Sequence, residues 1–150
     1  MVESHYKFVQ IDHLSDIGIK AFGNNLKELF ESAAAGMFSI MCNPDKVSQL
    51  IKKNVLVNLV DNADLGDLLI LWLEKLIYVF EVEKMLFSRF EITKILNQAN
   101  EKKIEAEIYG ENIDFKRHEI TVAIKAPTYH MLKVERNKEG DWIAEIIFDV

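Results

Sequence analysis

Apolar residues recur at intervals of three and four along residues 26–42, at Leu26, Leu29, Phe30, Ala33, Ala34, Met37, Phe38 and Met41. That period predicts an amphipathic helix with one buried face. Asn25 supplies its N-cap with Glu28 three residues on, as in a capping box, and Asn43 and Pro44 stop it. A second stripe, Leu65, Leu68, Leu69, Trp72, Leu73, Leu76, Ile77 and Phe80, follows Asp64, which predicts a capped helix over residues 65–80. Core packing explains both stripes. Between them, residues 55–60 are β-branched and apolar at most positions and predict a strand buried on both faces. After the second helix, residues 87–96, 104–109, 119–125, 129–135 and 142–149 all read as strands. The last alternates cleanly: Trp142, Ala144, Ile146 and Phe148 point one way, and Ile143, Glu145, Ile147 and Asp149 the other. Residues 137–140 form the turn before it. At the front, an apolar run over residues 8–11 and a strand-like stretch over 17–22 flank DHLSDIG, residues 12–18, where a turn or bulge is expected.

Two amphipathic helices and runs of strands without intervening helices predict an α+β fold, the helices packed on mostly antiparallel sheet. A doubly wound nucleotide fold is not expected, and no glycine-rich phosphate loop occurs among the six scattered glycines. With 150 residues and no repeat or linker, the chain is expected to be one compact domain over residues 1–150.

Composition narrows the function. The formal net charge of -6 disfavours tight, direct nucleic-acid binding, which depends on clustered Lys and Arg. Cys42 is the single cysteine, so no intramolecular disulfide and no Cys-rich zinc site can form, as suits a reducing, cytoplasmic compartment. The start, MVESHYKF, lacks an apolar core, so no secretory signal is expected, nor any membrane span.

DHLSDIG sets two carboxylates and an imidazole within five positions, Asp12, His13 and Asp16. An Asp before a turn also serves simply as a backbone acceptor. At the other end of the chain Asp149 stands one residue before Val150 and its terminal carboxylate. If the closing strand ends beside the DHLSDIG turn, Asp16 and Asp149 face each other, and two close carboxylates need a shared proton or a cation. Oxygen-only donors select a hard ion, Mg²⁺, Mn²⁺ or Ca²⁺, over zinc. Lys125, in IKAPTYH, is a second means of neutralising the pair. His5, His13, His118 and His130 show no HxH or HxxxH spacing, and neither Cys42 nor any serine elbow offers a nucleophile.

DHLSDIGIKAFG, LKELFESAAAGMF, LLILWLEKLIYVFEVEKMLF, RHEITVAIKAPTYHMLKV and WIAEIIFDV, in this order, resemble the archease family over nearly the whole chain. Leu14 stands where that family usually has Thr, and Pro127 replaces an apolar residue between Ala126 and Thr128. The resemblance implies a protein cofactor of an RtcB-type RNA ligase in tRNA splicing, one that promotes guanylylation and multiple turnover without sealing RNA itself. It implies that Asp16 and Asp149, beside Val150, hold a divalent metal, that Lys125 takes part in activation, and that Asp12 and His13 belong to the same motif. A stand-alone metal-dependent enzyme acting on phosphoesters, and a general chaperone holding clients on the helix stripes, are the rival expectations.

Overall fold

The structure, a computed structural model, describes residues 6–13 and 16–150. The turn expected between the first two strands therefore falls, with Leu14, outside the described residues. Strand β1 (Lys7–His13) pairs antiparallel with β2 (Asp16–Gly23), and helix α1 (Leu26–Met41) follows. A short 3-10 turn (Pro44–Lys46) leads to β3 (Ile51–Val60), then come helix α2 (Leu65–Glu83), β4 (Met85–Asn97) and β5 (Glu101–Asn112). The two-residue β6 (Ala126–Pro127), β7 (Lys133–Arg136) and β8 (Trp142–Asp149) complete the chain. The strands form two sheets, one ordered β1-β2-β8-β6 with β7 also on β8, the other β3-β5-β4. Every recorded pairing is antiparallel. The α+β architecture of two helices on antiparallel sheet is thus the observed one.

The caps explain where the helices begin. Asn25 Oδ1 accepts from the Glu28 N–H at 2.9 Å, while Glu28 Oε2 reaches back to the N–H of Asn24, at 2.8 Å, one residue before the expected partner. Asp64 and Asp67 make a complete capping box on α2, at 2.8 and 3.0 Å. That helix runs three residues past the expected end, until Lys84 turns left-handed at φ 55°. No helix among the described residues is long and apolar enough to cross a membrane.

Helix α1 lies on β1 and β2 with its other flank against β4, and α2 covers the second sheet and reaches β6. Leu29, Phe30, Ala33, Met37, Leu68, Leu69, Trp72 and Leu76 have no exposed surface. Trp72 fastens the helices together, because its buried indole N–H donates to the Phe30 carbonyl at 3.0 Å. The Phe38 ring meets Phe80 and Phe87 edge-on.

Three expectations about strands change. Residues 55–60 belong to β3, an edge strand whose Val55 and Val57 are buried while Leu56 and Val60 are more than half exposed. Only one sheet face meets the helices, so β-branched composition did not mean burial on both sides. Residues 119–125 form no ladder. The Thr121 N–H bonds to the Met41 carbonyl and the Lys125 N–H to the Asp149 carbonyl, each at 2.8 Å, so the segment spans from the end of α1 to the end of β8. Its alternation reflects Ile120, Val122 and Ile124 packing on the core. The strand expected over residues 129–135 is half turn: the Leu132 N–H closes on the Tyr129 carbonyl at 3.2 Å, Met131 is left-handed at φ 55°, and β7 starts at Lys133.

Candidate functional site

The first sheet ends in a row of polar residues. Along β2 and β8 the recorded register ends with Ile17 opposite Phe148, which makes Asp16 and Asp149 the next residues on the two neighbouring strands. On the other side of β2, His13 pairs with Asp16. On the other side of β8, Ala126 pairs with Asp149, and the Lys125 N–H donates to the Asp149 carbonyl. Positions 13, 16, 149 and 125 thereby stand in a row across the strand ends at one end of the sheet. The reason is hydrophobic alternation. Ile19 and Ala21 on β2, and Ala144, Ile146 and Phe148 on β8, are buried against the helices, so Asp16 and Asp149 take the outward face.

Directly opposed residues on antiparallel strands stand with Cα atoms about 4.5 to 5.5 Å apart. Two carboxylates on neighbouring strands at such a spacing suit a hard cation bound at about 2.0 to 2.6 Å. The donor chemistry fits Mg²⁺, Mn²⁺ or Ca²⁺. Among the described residues no group of three or more His, Cys, Asp or Glu side chains closes around a point. Lys125 is exposed and makes no ion pair within 4 Å among the described residues. Asp12 is not brought to the same face. It pairs with Ile17, whose side chain packs on the core, and it accepts from Gln10 Nε2 at 3.2 Å.

Two further polar groups had no signal in the sequence beyond their residue types. Glu111, at the end of β5, is buried and accepts from Arg117 Nη2, from the Ser48 N–H at 2.6 Å and from His118 Nε2 at 3.0 Å. The Arg117 guanidinium, foremost, holds its carboxyl down at about 2. His118 is buried too, and the Asp114 N–H donating to its Nδ1 at 2.9 Å puts the ring proton on Nε2. This clasp ties the 114–118 turn to the Lys46 carbonyl and Ser48, and the 119–125 segment leading to Lys125 starts from it. The second group joins Tyr129 to α2: its hydroxyl donates to Asp67 Oδ1 at 2.8 Å, and this bond to a carboxylate pushes the phenol up to about 12.

Comparison with known proteins gives a consistent set of relatives. The model of the Archease protein family matches residues 8–150. The protein archease of Pyrococcus abyssi is 37% identical over 139 residues, covering 93% of this chain and 95% of that protein. That of Sulfurisphaera tokodaii is 37% identical over 144 residues, covering 96% and 99%. The solution structure of Methanobacterium thermoautotrophicum protein 1598 superposes with a TM-score of 0.80 at 31% identity, covering 95% of this chain and 98% of that one. An archease from Thermotoga maritima, described as a possible chaperone, shares the fold at a TM-score of 0.54 and 20% identity, covering 93% and 94%.

Proposed function

The chain belongs to the archease family, and from that premise we propose that it is a non-enzymatic activator of an RtcB-type RNA ligase in tRNA splicing, acting through its acidic sheet end. The observation that carries this reading is the register, whose pairing of Ile17 with Phe148 makes Asp16 and Asp149 the next residues on neighbouring strands. Asp16 and Asp149, with Val150 beside them, would hold a divalent cation, Mg²⁺, Mn²⁺ or Ca²⁺. Such a cation supplies charge stabilisation near a phosphoryl group in transfer, where preorganised charge counts most. The backbone of Asp16 and Asp149 belongs to β2 and β8, whose apolar residues are packed in the core. Lys125, whose N–H bonds to the Asp149 carbonyl, would offer an ammonium to phosphate oxygens. Asp12, on β1 opposite Ile17, faces away from the pair and is left out of the donor set, with His13 on the strand beside Asp16. In this reading nucleotidyl transfer belongs to the ligase. The acidic balance of the chain, -6, leaves RNA binding to the ligase as well.

A chaperone role, the description attached to the Thermotoga maritima relative, cannot use the helix stripes in the folded state, since both are buried in the core. The decisive experiment measures ligase guanylylation and turnover with folded Asp16→Ala, Asp149→Ala and Lys125→Ala proteins. Stimulation is expected to fall about tenfold or more for the two aspartates, in keeping with loss of a charged group at a phosphoryl-transfer site. Full stimulation by all three would overturn the proposal.

A further inference from the structure

The turn between β6 and β7 presents two large apolar side chains to solvent: Tyr129 is 61% exposed and Met131 68%. The turn itself is firmly held. Thr128 donates its N–H, at 2.9 Å, and its hydroxyl, at 2.8 Å, to the Ile147 carbonyl, and the Tyr129 hydroxyl donates to Asp67. Leu132 packs over Gly66 in the first turn of α2, where a Cβ would stand 3.0 Å from Leu132 Cδ2. The turn is therefore fastened to β8 on one side and to α2 on the other. Met131 is left-handed at φ 55°, a conformation a residue with a Cβ keeps only where its surroundings hold it.

Exposed apolar groups on a fixed backbone have the properties of contact anchors. A Tyr ring gives wide apolar area with few torsions to freeze, and Met adapts to an irregular pocket. The surroundings are acidic: Asp64, Asp67 and Glu74 all act on the Tyr129 hydroxyl, and Asp149 lies two residues beyond the Ile147 that anchors the turn. That sign repels RNA phosphates and attracts a surface bearing Lys and Arg. We infer that the 128–132 turn is a docking surface for a protein carrying an apolar pocket rimmed by Lys and Arg, entered by Tyr129 and Met131. Resting on the functional reading above, that protein is the ligase, which must display basic groups wherever it holds RNA. Both Lys125 and Thr128 bond to the last residues of β8, so a partner reached by the acidic sheet end also meets this turn.

The test is the dissociation constant of the full chain with the ligase, measured by calorimetry at two salt concentrations, alongside guanylylation at saturating protein. Met131→Asn keeps a residue that tolerates the left-handed backbone but removes the apolar anchor. Tyr129→Phe keeps the ring and removes only the Asp67 bond. Met131→Asn is expected to weaken binding about tenfold or more with saturated guanylylation retained, Tyr129→Phe less than about threefold, and wild-type affinity to fall with salt. Wild-type binding matched within about twofold by both Met131→Asn and Tyr129→Ala, each folded by circular dichroism, overturns the inference and leaves the functional reading standing. Wild-type protein that neither binds nor stimulates the ligase overturns both. Binding of single-stranded RNA that these substitutions abolish overturns the choice of a protein partner.

Discussion

Replacing Glu111 with glutamine is expected to destabilise the protein by about 2 kcal/mol at neutral pH. Glu111 is 5% exposed and gathers three donors, from Arg117, Ser48 and His118. Glutamine keeps the shape, but one carboxylate oxygen becomes an NH₂ group, so one of those donors loses its acceptor. Its carboxyl is lowered from an ordinary 4.5 to about 2, which corresponds to about 3.4 kcal/mol at roughly 1.36 kcal/mol per pH unit. The Arg117 side chain is 50% exposed, and solvent screening reduces the figure to about 2 kcal/mol. Because the folded pKa lies below the unfolded one, this stabilisation is complete above the unfolded value and disappears as pH falls from 4.5 towards 2. More than half is gone by about pH 3, so the gap between wild type and Glu111→Gln should narrow from about 2 to about 1 kcal/mol there. Urea unfolding followed by circular dichroism at both pH values measures the two gaps. A gap under about 0.5 kcal/mol at pH 7, or one that does not change on acidification, would refute the reasoning.

Two other substitutions probe the scaffold and its link to the acidic end. Trp72→Phe removes the buried hydrogen bond to the Phe30 carbonyl and leaves a gap between the helices, and should cost about 2 to 3 kcal/mol in thermal unfolding. A melting temperature unchanged from wild type would show that this bond does not join the helices. Gly18→Ala would put a Cβ 2.3 Å from the Ile146 carbonyl oxygen, so β2 and β8 must separate locally. We expect a loss of about 1 to 3 kcal/mol and weaker ligase stimulation than in Val57→Ala, which opens a comparable defect in the other sheet. Equal stimulation by both variants would mean that the β2–β8 spacing does not matter to the acidic pair.

The sequence by itself determined what depends on neighbours along the chain. Both helices, their Asn25 and Asp64 caps, the β8 alternation and the turn over residues 137–140, closed by Gly140 at φ 89°, follow from local spacing and residue type. Local chemistry could not say which strand lay next to which. Val55 to Val60 looked doubly buried because β-branched residues suit either face, and only the edge position of β3 decided that one face meets water. Residues 119–125 alternate like a strand because their side chains pack like one, yet their hydrogen bonds go to Met41 and Asp149, which no local pattern encodes. The same limit applies to the site. Asp16, Asp149 and Lys125 are grouped by their charges in the sequence, on the condition that the two ends of the chain meet, and the resemblance to the archease family implies the same group with Asp12 and His13. Their arrangement was decided by register: pairing Ile17 with Phe148 carries Asp16 to Asp149 and leaves Asp12 on the other face. A one-residue slip would bury both acids and expose the core, so burial of the apolar residues is what fixes the pair. The clasp of Glu111, Arg117 and His118, and the bond from Tyr129 to Asp67, join segments that only folding brings together.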